Sequence, residues 1–62
     1  MSKKIKIIEK MNNFDIESSV NEFISDENID VISVDIKTQP YDNDEYIYTA
    51  TILYTNNNIL KG

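Results

Sequence analysis

The sequence predicts a single α+β domain of order β-α-β-β: a three-stranded antiparallel sheet, order 1-3-2, with one helix packed on one face. Three observations carry this. "KKIKIIEK" near the start alternates side chains with a period of two, and "NNFDIESSVNEFISDEN" repeats apolar residues at helical spacing. "VISVDIKTQPYDNDEYIYTATILYT" alternates, breaks once at a proline and an acidic cluster, and alternates again.

The first strand, residues 3–10, sets Lys3, Ile5, Ile7 and Glu9 on one face and Lys4, Lys6, Ile8 and Lys10 on the other. In the helix, Ile16, Val20, Phe23 and Ile24 form one stripe, which the small Ser19 completes. Asn12 is the expected N-cap with Asp15 at N3, Met11 and Ile16 are placed to form a hydrophobic staple, and Asn28 is expected to close the helix in the left-handed conformation.

The second strand sets Ile32, Val34 and Ile36 against Val31, Ser33, Asp35 and Lys37 on its other face. The third sets Tyr46, Tyr48, Ala50, Ile52 and Tyr54 against Ile47, Thr49, Thr51 and Leu53. A hairpin centred near Asn43 opposes Ile36 with Ala50, Val34 with Ile52 and Ile32 with Tyr54, like with like, and on the other face Asp35 with Thr51 and Lys37 with Thr49. Pro40 lacks the N–H that a ladder needs, so the connection is expected to begin about there, with Asp42, Asn43 and Asp44 as turn formers.

A right-handed crossover between the first two strands leaves a gap for the third, which becomes central. The face away from the helix is then expected to carry Ile8, Val31, Ile47 and Leu53 among polar residues, with nothing in the chain to cover it. These four are the candidate interface residues. A second copy is the expected cover. The tail 56–62 is read as frayed or docked on a partner through Ile59 and Leu60.

With 62 residues the chain forms a small core, and the absence of Cys and His removes disulfides and the usual zinc sites as supports, leaving self-association. The absence of Cys fits a reducing cytoplasm, and no signal peptide or membrane span is evident, so a soluble cytoplasmic protein without membrane contact is expected. Residues 1–10 carry a net charge of +3 and residues 11–62 carry −8. An acidic body without Arg argues against direct nucleic-acid binding.

Enzymatic chemistry has little to work with. His and Cys are missing, the only Gly is Gly62, and no phosphate-cradling or nucleophile-elbow motif occurs. No cofactor is expected. The run Asp42, Asn43, Asp44, Glu45 lacks the spacing, glycine and distal Glu of an EF-hand loop and reads as a turn rather than a metal site. Tyr46, Tyr48 and Tyr54 read as packing residues, whereas Tyr41, beside Pro40 at the hairpin tip, is placed to anchor a partner.

The strings "VISVDIKTQ" and "DEYIYTATILY" resemble a family of small acidic sporulation-associated proteins of spore-forming Firmicutes and their phages, which share a "DIK-x-Q" strand and a tyrosine-containing final strand. The resemblance spans most of residues 3–55 and implies no biochemical activity. The element order is also similar to that of dodecin, an oligomeric flavin-storing protein, which implies an oligomer. Dodecins stack flavin on a Trp, whereas this chain carries Ser33 near that place and has no Trp, leaving Gln39 as the one matching ligand contact.

Two functions are expected. One is a non-enzymatic interaction protein, homo-oligomeric and phage or mobile-element encoded, that binds and modulates a host protein through Tyr41, Asp42, Asp44 and Glu45. DNA mimicry by its carboxylates is a variant of this reading. The other is an oligomer holding a nucleotide or flavin-like ligand at subunit interfaces, lined by Ser33, Asp35, Lys37, Gln39, Thr49 and Thr51.

Overall fold

The computed structural model describes residues 2–57. Its elements are β1 (Lys3–Lys10), α1 (Asn13–Ile24), β2 (Ile29–Asp42) and β3 (Glu45–Asn56), and the sheet order is β1-β3-β2 with both pairings antiparallel. The central strand is the last in sequence, as the crossover argument requires.

Helix α1 starts where its cap directs. Asn12 is extended (φ −147°, ψ 160°), its Oδ1 accepts the Asp15 N–H at 2.8 Å, and its Nδ2 donates to the Asp15 carboxylate at 3.0 Å. One otherwise unpaired backbone N–H of the first turn is thereby satisfied, and the second bond ties the two side chains together. The C-terminus departs from expectation. Ser25, not Asn28, closes the helix, in the right-handed region, and its hydroxyl donates to the Glu22 carbonyl at 2.8 Å. No described residue has a positive φ. The Asn28 N–H instead bonds the Asp26 carboxylate at 2.8 Å, a local turn that competes with a left-handed cap.

The hairpin register holds from Ser33 to Pro40, with Ile36 opposite Ala50, Val34 opposite Ile52, Asp35 opposite Thr51 and Lys37 opposite Thr49. Irregularities interrupt it on either side, between Val31 and Ser33 and between Pro40 and Asp42. The first makes Ile32 an extra residue, so Val31 rather than Ile32 opposes Tyr54. The offset is pinned from the strand ends: the Asn57 N–H bonds the Asn28 carbonyl at 2.8 Å and its side chain bonds Asp30 at 3.0 Å. Thus β3 runs through Asn56 and Asn57 is tied to the fold. Ile59 and Leu60 lie outside the described residues. Pro40 does not end its strand; it stands opposite Tyr46 in an edge strand, the kind of strand that tolerates proline.

The buried core is Ile16 and Val20 of α1 against Ala50 and Ile52 of β3, with Ile8, Phe23, Tyr48 and Tyr54 half-buried around it. Ala50 stands between Ile8 on β1 and Ile36 on β2, so one small residue sits at the centre of the sheet where the helix rests. β1 is turned over relative to expectation. Ile8 opposes Ala50 and packs under the helix, Lys4, Lys6 and Lys10 share that face, and Ile5 and Ile7 point to the open side. On the helix side Lys6 Nζ stands 5.7 Å from the Phe23 ring centre, and Glu22 and Asp26 line the same groove. A long lysine stem can cover apolar surface beside such a ring. Ile8 and Val31 therefore belong to the helix-side face rather than to the open face on which the sequence placed them.

Candidate interaction surface

Two surfaces stand out: the open face of the sheet and the end of the β2–β3 hairpin. On the open face, Ile5 and Ile7 are 62% and 61% exposed, and Ile47 and Leu53 are half-buried. Ile5 stands directly opposite Leu53. Around them lie Lys3 and Glu9 on β1, Thr49, Thr51 and Thr55 on β3, and Ser33, Asp35, Lys37 and Gln39 on β2. None of the described elements covers this face. The expectation that Ile8 faces the open side would put Ile5 and Ile7 under the helix, the reverse of what is observed. The signal that could have found them is the lysine-rich alternate face, which suits an acidic helix better than an apolar one.

The hairpin reaches past the rest of the fold. β1 pairs with β3 only as far as Lys10 opposite Tyr48, whereas β2 and β3 continue to Asp42 opposite Glu45. A 14-residue strand spans about 46 Å at the usual rise per residue. That span accounts for the long axis of a molecule measuring 50 × 18 × 14 Å. Residues 39–47 therefore form an arm supported by two strands, and it carries three carboxylates, Asp42, Asp44 and Glu45.

The tip is ordered by local bonds. The Asp42 carboxylate accepts the Asn43 N–H at 2.8 Å, and the Glu45 N–H bonds the Asn43 carbonyl. Tyr41 is the extra residue between Pro40 and Asp42, and it is 61% exposed. A bulge of this kind re-aims a side chain out of the ladder. Tyr46, opposite Pro40, is also exposed. The four predicted arm residues Tyr41, Asp42, Asp44 and Glu45 are thus brought together in one place.

The predicted ligand residues are arranged differently. Ser33, Lys37 and Gln39 follow one another along the exposed open face of the edge strand β2. Two larger grooves flank α1 instead. One, of about 440 Å³, lies over β1 between Lys6, Ile8 and Lys10 and the helix residues Ser19, Glu22 and Phe23, with Asp26 just beyond the helix end. The other, of about 340 Å³, lies toward β2 and is lined by Asn13, Ile16, Glu17, Val20, Asn21 and Ile36. A smaller hollow at the base of the arm is lined by Glu9, Lys10, Met11 and Ile47. Ser33, Lys37 and Gln39 line none of these three.

Among the described residues no group of three or more His, Cys, Asp or Glu could hold a metal ion, and no helix is long and apolar enough to cross a membrane. Sequence reasoning also passed over Phe14, which is 79% exposed at the start of α1 and outside the buried stripe. No protein-family model, curated protein or solved structure matches the chain.

Proposed function

We propose that this chain is a non-enzymatic interaction protein that self-associates and binds a second protein of its host, modulating that protein by occupying its surface. The observation that carries the reading is the arm: a two-stranded projection ending in three carboxylates with Tyr41 bulged out beside them. An exposed aromatic at the tip of a supported projection is suited to anchor in a pocket, and the carboxylates around it favour a basic rim and speed encounter. The helix residues Asp15, Glu17 and Glu22 and the following Asp26 and Glu27, all exposed, extend the negative field behind the arm.

The test is capture of a partner from a host lysate on the immobilised full chain, compared with Tyr41→Ser and with Asp42→Lys/Asp44→Lys. The expected result is a protein retained by the parent chain and lost from both variants, with circular dichroism unchanged. A partner retained equally by all three, or no protein retained at all, overturns the role of the arm.

A further inference from the structure

The outer edge of β1 is open, since β3 lies on one side only and no described strand lies on the other. The two edges of the sheet differ in kind. β2 is interrupted by two register shifts and carries Pro40, devices that prevent strands from pairing edge to edge. β1 has neither: its ladder with β3 runs without a shift from Lys3 opposite Thr55 to Lys10 opposite Tyr48. Lysines are the one protective device on this edge.

We propose that β1 pairs with β1 of a second copy, antiparallel about a two-fold axis through Lys6, joining two sheets into one of six strands, three from each copy. The proposal deepens the interaction-protein reading by naming the self-association surface, and it does not involve the arm.

The argument rests on self-complementarity. In an antiparallel pair, residues directly opposite share a face, so open-face residues of one copy must meet open-face residues of the other. With the axis at Lys6, Lys3 opposes Glu9 of the second copy, Ile5 opposes Ile7, Ile7 opposes Ile5 and Glu9 opposes Lys3. On the open face each charge meets its opposite and each isoleucine meets an isoleucine. Moving the axis to Ile7 sets Ile5 against Glu9 and Lys4 against Lys10, and moving it to Ile5 sets Lys3 against Ile7 and Lys4 against Lys6. Each of those registers sets two pairs of lysines against one another, where the axis at Lys6 sets one, and neither gives an open-face charge an opposite partner.

On the helix side Lys4 opposes Ile8, whose neighbouring stem is apolar, and the two Lys6 side chains meet at the axis. Each Lys6 is held by its own Phe23 ring, in a groove that Glu22 and Asp26 also line. On the open side the four isoleucines form one apolar centre flanked by Leu53 of each copy.

Among the described residues four are buried, a thin core, and small domains of this kind are commonly completed by association.

The experiment is sedimentation equilibrium of the full chain and of Lys3→Glu, Glu9→Lys and the double variant Lys3→Glu/Glu9→Lys, with folding checked by circular dichroism. A dimer is expected. Each single variant creates two like-charge pairs and should weaken dimerisation by about tenfold, and the double variant, which restores both opposite pairs, should recover it. A chain that is monomeric throughout, or a dimer indifferent to the single charge changes, overturns the proposal. Hydrogen exchange on the parent chain provides a reading that needs no variant. Protection at residues 3–9 should rise with protein concentration, and a rise confined to the arm or to β2 overturns the proposed edge. Partner capture by the arm is read separately, so either reading can fail alone.

Discussion

Phe23 of α1 meets Tyr54 of β3 edge to face, with ring centres 5.0 Å apart and planes at 76°, and Lys6 of β1 stands over the same Phe23 ring. One aromatic side chain thus ties the helix to both the central strand and the lysine face of β1. The quadrupoles of the rings favour this geometry, and the cation adds attraction to the ring face. Phe23→Ala should lower stability by about 2 kcal/mol, less than for a fully buried ring because Phe23 is half-buried. A double-mutant cycle with Tyr54→Ala, measured by urea unfolding at fixed protein concentration, should return a coupling of about 1 kcal/mol.

Ile52 is fully buried, opposite Lys6 on one side and Val34 on the other. Truncation to Ala should cost about 3 kcal/mol. A core of this size supplies only roughly 3–5 kcal/mol in total. The variant should be largely unfolded at room temperature, as read by loss of amide dispersion in a proton–nitrogen correlation spectrum.

Ala50 is also fully buried, and its small side chain sets how closely α1 approaches the sheet. Ala50→Leu should destabilise by about 1–3 kcal/mol, because the added volume pushes the helix outward. A shift of the thermal midpoint downward by several degrees is the expected reading, whereas an unchanged midpoint would show that the helix can relax around the larger residue.

The two ends of α1 should respond differently. Asn12→Ala should cost about 1 kcal/mol through loss of the bond to the Asp15 N–H. Asn28→Gly should bring no stabilisation, because no described residue occupies the left-handed region where glycine helps. Denaturation curves of the two variants, set against the parent chain, check both statements.

Tyr41→Ser should leave stability within about 0.5 kcal/mol of the parent, since the side chain is exposed and outside the ladder. A larger loss would mean that Tyr41 packs against the hairpin and supports the arm rather than a partner.

The strands, the helix with its Asn12 cap, the sheet order and the central hairpin register could all be read from the sequence. Each depends on a local period or on a short-range rule: two-residue alternation, the apolar stripe, a side chain that can cap, and the handedness of a crossover. The acidic run Asp42–Glu45 was legible as a turn for the same reason. The faces of β1 were not. Alternation says which residues share a face but not which face meets the helix, and the isoleucine pair Ile5 and Ile7 competed with Ile8 for that role. Packing decided it: Ile8 lies against the core under the helix, and Lys6 on the same face stands over the Phe23 ring. The bulges at Ile32 and Tyr41 were equally hidden, since alternation on each strand continues past them while the pairing slips by one. The sequence by itself determined the elements and their order through local periodicity. Only the tertiary structure decided which isoleucines meet water and where Tyr41 points, because both depend on residues distant in the chain meeting in one register.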